Sequence, residues 1–277
     1  MWASNSLEQV WRDVRYALRL MRRSPGFTAV AILSLALGIG ANTAIFSLMY
    51  TVMLRLLPVA HPEQLVELLH RLPREGHRGN SFAWQAYQDL RDHNDVLEAL
   101  IAASPSSFYL RGAGLEVEKV DGDYVDGNFF PVLGMRAAIG RLIGPEDDGA
   151  GPAASVAVVS WSYWNSRLHA DSGVLGKHIF LQPVPGVTDV PVTIIGVAPR
   201  GFAGWQSGAR QDVWVPLAVR RALTPADDIS VQLVGRLKPG VSLEQAHAEL
   251  AVLDKRIVLE QAKTSTNPFT REVVLDL

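Results

Sequence analysis

Two acidic groupings hold the residue types best suited to chemistry. Asp121-Gly122-Asp123 with Asp126, and Glu146-Asp147-Asp148, offer carboxylate oxygens to a hard cation such as calcium. Neither follows the ordered ligand spacing of an EF-hand loop, so both read as solvated turns. The seven histidines are scattered, and none lies three or four residues from another, the spacing that would pair two on one helix face. The absence of cysteine excludes disulfides, thiol catalysis and Cys-based zinc sites. Phosphate-loop, H-E-x-x-H, G-x-S-x-G and S-x-x-K patterns are also missing. Gly38-Ile39-Gly40 lacks a third glycine and sits in an apolar run, so it does not read as a dinucleotide turn. No catalytic residue, metal site or cofactor is therefore expected, and the chain is not read as an enzyme. Trp161, Trp164, Trp205 and Trp214 would suit an aromatic recognition surface, but core packing of a β-rich lobe is the better reading.

The element that positions everything else is the run from Phe27 to Leu54, which contains no Asp, Glu, Lys, Arg or His. As a helix it would be about 42 Å long, against a hydrocarbon core of roughly 30 Å. One membrane pass follows, with some tilt or overhang. Along it Ala36, Gly40, Thr43, Ala44 and Ser47 share a side, a small-residue stripe that lets another helix approach closely. Small residues are also simply common in membrane helices, so the stripe has two readings. Asn42 would seek a polar partner, which fits a bundle interior better than bare lipid.

Before this run, Leu7 to Arg23 has helical periodicity. Leu7, Val10, Trp11, Val14, Leu18 and Met21 fall on one face, and Arg12, Arg15, Arg19, Arg22 and Arg23 on another. The pattern predicts a helix in the membrane interface, with Trp11 at headgroup level and the arginines on lipid phosphates. A solvated helix packed on a partner is the alternative. Ser24-Pro25-Gly26 then turns the chain into the bilayer. Residues 1–26 carry five arginines against Glu8 and Asp13, a net of +3, whereas residues 58–277 carry a net of −6. Positive charge stays on the cytoplasmic side, so the N-terminus is expected there and the large domain outside. The acidic balance gives no reason to expect nucleic acid as a partner. A cleaved signal peptide would need an apolar core of about 7 to 15 residues, so an uncleaved anchor is favoured.

After Pro58 the composition becomes that of a folded α+β domain. Strands are expected at 64–71, 106–111, 115–121, 155–160, 179–182, 190–197, 212–215 and 231–237, with 96–104 readable as strand or helix. Ser81 is expected to cap a helix whose Trp84, Tyr87 and Leu90 face a core, and Asn128 a short helix closed by Gly134. Ser242 and Gln245 form a capping box before Leu243, Ala246, Leu250, Leu253 and Ile257, which repeat at helical spacing. The part from about Val125 should be richer in β structure than the part before it.

Several long pieces carry a family resemblance. DVRYALRLMRRSPGFTAVAILSLALGIGANTAIFS (13–47), NFFPVLGMRAAIGRLI (128–143), VAVVSWSYW (156–164), VTIIGVAPRGFAG (192–204) and VGRLKPGVSLEQAHAEL (234–250) are collinear. Together they resemble the MacB/FtsX-type ABC transporter permeases, in particular the duplicated orphan permeases of acidobacteria. The resemblance implies one transmembrane helix followed by a periplasmic core domain, with a porter-like α/β lobe and a β-rich inserted lobe. It divides the chain into an interfacial helix (1–26), a transmembrane helix (27–57), the porter-like lobe (58–124 and 218–277) and the insert (125–217). It implies a protein of the bacterial inner membrane that couples ATP hydrolysis by a separate ABC ATPase to periplasmic movement, for export or mechanotransmission. The partners implied are membrane lipid, further permease helices or a second permease copy, and that ATPase. Three later spans of such permeases do not follow here, so a fragment or split permease is expected. The alternative is a membrane-tethered ligand-binding or sensor domain.

Overall fold

The computed structural model describes residues 11–12, 15–16, 19, 21–49, 59–71, 78–112, 115–149, 155–182, 189–206, 208, 210–225, 228–264 and 274–276. The chain forms two compact units, Met1–Arg55 and Leu56–Leu277.

In the first unit, the described leader residues and α1 (Pro25–Met49) are helical. Proline suits the first helical position because its missing N–H would have no partner there. The Thr28 hydroxyl lies 2.9 Å from Met21 O and 3.0 Å from Ser24 O, so its proton is shared across the Ser24-Pro25 break. Within α1, Pro25–Phe46 is the one described helix long and apolar enough to cross a bilayer, and none of it is buried. The expected continuation to Leu54, and the leader positions 1–10, lie outside the described residues.

The second unit is mixed α/β, with twelve strands in one sheet system. A 3-10 turn (Pro62–Gln64) leads into β1 (Leu65–Arg71), β2 (Arg78–Gly79) and β3 (Phe82–Ala83). Then come α2 (Trp84–His93), β4 (Leu97–Gly112), β5 (Leu115–Val125), α3 (Phe129–Val132) and β6 (Ile139–Gly140). A second 3-10 turn (Pro145–Asp147) precedes β7 (Val156–Val159), α4 (Trp161–Ser166), β8 (His178–Gln182), β9 (Val190–Val197) and β10 (Val213–Pro216). The chain ends through α5 (Leu217–Leu223), β11 (Ser230–Leu237), α6 (Leu243–Thr264) and β12 (Val274–Asp276).

β11 lies between β1 and β4, antiparallel to both, and Arg236 stands opposite Leu65 on one side and Ala99 on the other. Beyond β4 the strands close on themselves: β4 pairs β5, β5 pairs β10, β10 pairs β7, β7 pairs β9, β9 pairs β8, and β8 returns to β4. The ring holds Phe108, Leu110, Val120, Ile179, Leu181, Ile194 and Val213, all buried in one apolar cluster. α2 and α6 extend that cluster with Tyr87, Leu90, Ala246, Leu250 and Leu253. A second cluster holds Ile101, Val125, Phe129, Phe130, Phe202, Trp205 and Trp214. There Trp214 stacks on Phe202 at 5.3 Å and meets Phe130 edge-on at 5.8 Å.

Three local expectations need correction. The segments 96–104 and 106–111 are one strand, β4, which runs through Pro105. Pro105 stands opposite Asp123 of β5, but on the other edge β11 leaves β4 after Ala103 and β8 joins only at Tyr109, and that gap is where a missing N–H is tolerated. Ser81 does not cap α2; the helix starts at Trp84 directly after β3, with Ala83 at its N-cap. Asn128 precedes α3 in a helical conformation and makes no side-chain cap. Trp84, Tyr87 and Leu90 are buried as expected, and Ser242 and Gln245 exchange both bonds of the capping box.

Candidate functional site

The first feature with functional bearing is the membrane segment. Ala36, Gly40, Thr43 and Ala44 are exposed along α1, and Ser47 extends the same helix. Thr43 donates to Ile39 O at 2.8 Å, which satisfies its hydroxyl within the helix. Asn42 is also exposed on α1. With 100° per residue it falls about 160° around the axis from Gly40, so it does not accompany the small stripe. Trp11, Arg12, Arg15, Arg19, Arg22 and Arg23 are helical and exposed.

The second feature is the start of the extramembrane domain. Residues 59–64 are fastened to α3 and β11. Ala60 N donates to Leu133 O at 3.0 Å. Gly134 has φ +67, and a Cβ there would come within 2.4 Å of Ala60 Cβ, so only glycine allows this approach. The buried guanidinium of Arg236 reaches across from β11. Its Nε and Nη2 both donate to Val132 O, at 3.1 and 2.7 Å. Nη2 also donates to Ala60 O at 2.6 Å, and Nη1 to His61 O and Gln64 Oε1, each at 3.2 Å. All five N–H groups of the fork are thus used, every one on a neutral oxygen.

The third feature is a set of buried carboxyl groups: of the two acidic stretches read as solvated turns, Asp121 and Glu146 are exposed, but Asp123, Asp126 and Asp147 are buried. Asp123 and Asp147 are 1 % exposed and Asp126 2 %. The two acidic stretches meet: Asp126 accepts from the Tyr87 hydroxyl at 2.6 Å, and Asp148 accepts from Gly127 N at 2.9 Å. Asp147 accepts from Arg141 through both oxygens, at 2.6 and 2.9 Å, and from Gly144 N at 2.9 Å. These residue types favour turns because they bond nearby backbone, but residues 121–123 lie in β5, paired to β4 and β10, and Asp126 follows directly and bonds Tyr87 of α2. Asp123 accepts from Gln211 Nε2 at 3.0 Å, while its Oδ2 and Trp214 Nε1 face each other without closing a hydrogen bond. Burial pushes both Asp123 and Asp126 up to about 7, and Asp126 Oδ1 has no partner among the described residues. Burial also raises Asp148 and lifts Asp254, on α6, to about 6.

Among the described residues, no three His, Asp or Glu side chains are placed to hold a metal. Trp164, Trp205 and Trp214 are buried and Trp161 packs against the core. They support the barrel and offer no aromatic surface. Arg236 was not singled out from its type or spacing. Its signal was a lone arginine in the apolar strand Ser230–Leu237, where every residue from Leu233 to Leu237 is buried.

The chain joins in sequence an apolar helix, long enough to cross a bilayer, to a closed, β-rich α/β domain. The MacB-like periplasmic core domain matches residues 28–253, and the chain belongs to that family. Among curated proteins no sequence matches. Similar solved structures include a domain assigned to a permease protein of Porphyromonas gingivalis, at 16% identity and a TM-score of 0.54, covering 79% of this chain and 92% of that one. The extracellular domain of the noncanonic ABC-type transporter YknZ from Gram-positive bacteria is 15% identical with a TM-score of 0.54, over 77% of this chain and 100% of that one. The periplasmic region of MacB from Actinobacillus actinomycetemcomitans is 16% identical with a TM-score of 0.54, over 76% and 95%. At these identities the likeness is one of fold.

Proposed function

We propose that the chain is the membrane-anchored periplasmic module of an ABC transporter permease in a bacterial inner membrane. In this reading a separate ATPase hydrolyses ATP, and the movement is passed through the membrane to the periplasmic domain. The observation that carries the reading is the family match, which begins inside α1 and runs through the whole domain to α6. The net +3 of residues 1–26 supports a cytoplasmic N-terminus. Trp11 and the arginines at 12, 15, 19, 22 and 23 are the lipid-contacting face of the leader. Ala36, Gly40, Thr43, Ala44 and Ser47 are the face on which further permease helices, or a second permease copy, pack. The domain is taken as a porter-like lobe (58–124 and 218–277) and an inserted lobe (125–217), with β4 and β5 serving both. No chemistry is assigned to the chain itself.

Co-purification from native membranes in mild detergent tests this reading. Recovery of an ABC ATPase or a further multi-span permease subunit is the expected result. A monomer that carries neither would overturn it.

A further inference from the structure

We propose that Arg236 is a mechanical coupler, which takes up load from the chain leaving the membrane and delivers it to β11, an interior strand of the sheet, and to α3. This deepens the reading as a transmitting permease module and rests on it. Ala60, His61 and Gln64 all lie between the spanning segment and β1, and all three give an oxygen to one guanidinium. Without that contact, a pull on this stretch would pass along the backbone into Leu65 and peel β1 from β11 one bond at a time. With it, the pull enters β11 directly at the residue flanked by β1 and β4. The same fork grips Val132 O twice, so α3 is loaded together with the sheet.

The choice of acceptors fits this role. An arginine that only neutralised a buried acid would be bonded to a carboxylate, yet the exposed Glu63 feels the charge of Arg236 but pairs with His61, and the five bonds of Arg236 all go to neutral oxygens. Its partners are backbone carbonyls and one amide, which cannot be released by a change of charge. A planar fork with five donors engages two separate segments at fixed angles, which a lysine cannot do. The bonds are therefore strained together instead of in sequence, the arrangement that resists force best.

Single-molecule pulling on the full chain in lipid nanodiscs tests the assignment. The chain has no cysteine, so Pro58→Cys, which precedes the clasped residues in sequence, and Ser166→Cys, at an exposed position, give two specific attachment points. Arg236→Lys is expected to lower the force of the first rupture by about twofold, because most of the fork is lost while the charge stays. Val192→Ala, inside the strand ring, is expected to lower the melting temperature and leave the first rupture unchanged. An Arg236→Lys chain that ruptures at the same force as the unmodified chain, or a Val192→Ala chain that weakens equally, would overturn the proposal. If Arg236→Lys does not fold, Gln64→Ala removes one of the five bonds and should show a smaller drop of the same sign; no drop overturns the proposal. Failure to recover an ATPase would refute the transport reading and leave this measurement standing. An unchanged rupture force would refute the coupler and leave the transport reading standing.

Discussion

Arg236 and Asp126 are both charged residue types buried in the same domain, and they are treated in opposite ways. Arg236 has an oxygen for each of its five N–H groups and none of them is charged. Asp126 has the Tyr87 hydroxyl on one oxygen and nothing on the other among the described residues. Arginine cannot shed its proton in a protein, so burying it demands a full set of partners. Aspartate can take up a proton and become neutral, so it tolerates a partial set at the cost of a raised pKa. The two regions therefore differ in what disturbs them: the first responds to loss of partners and the second to pH.

The largest expected effect comes from removing the cation. Arg236→Met should destabilise the domain by roughly 3–5 kcal/mol in chemical denaturation, with little dependence on pH, since four oxygens lose their donor. A loss below about 1 kcal/mol would mean that water replaces the guanidinium and that the contrast is misplaced.

Asp126 carries the pH dependence. A carboxyl group lifted to about 7 in the folded state, from about 3.9 when unfolded, holds its proton longer in the fold. Its contribution is thus fully favourable below pH ~4 and is lost as pH rises toward ~7. Asp126→Asn should remove this decline, so that the variant gains on the order of 2–4 kcal/mol relative to wild type between pH 4 and pH 8. Melting curves across that range would measure it, and parallel curves for the two proteins would contradict the assignment.

The membrane helix supplies a third case, a polar group in an apolar span. With Asn42 and Gly40 on opposite sides of α1, Gly40→Leu and Asn42→Leu should each weaken association with partner helices by about 1–2 kcal/mol, and independently. Pull-down of partner subunits with single and double variants checks this, and strong non-additivity would place both residues at one contact. The smallest effect is expected at an exposed, complete pairing: Ser242→Ala should cost about 1 kcal/mol through loss of the capping box.

How much of this could be read from the chain follows from the range of the interactions. α1, β7, β9, β11 and the capping box at Ser242 are local patterns, and they were legible as such. The segments on either side of Pro105 were read separately, the first as strand or helix, and only the parting of β11 and β8 on one edge of β4 explains how a single strand runs through the proline. The buried acids were misread because turn-forming composition says nothing of strand pairing, and Asp123 stands between Pro105 of β4 and Trp214 of β10. Tyr87 and Asp126 are 39 residues apart, and Arg236 and Ala60 are 176 apart. Contacts at such separations leave no local periodicity.

The closed ring of strands has a consequence for how the domain is made. Its first two members, β4 and β5, pair with each other early in the chain, but the circuit is completed only when Val213–Pro216 slots between β5 and β7. Until then two strand edges stay open for the time needed to deliver nearly a hundred further residues after β5. The short strand β10, parallel to β5 and antiparallel to β7, is thus the keystone of biogenesis, and the interval before it arrives is when protection by a chaperone matters most.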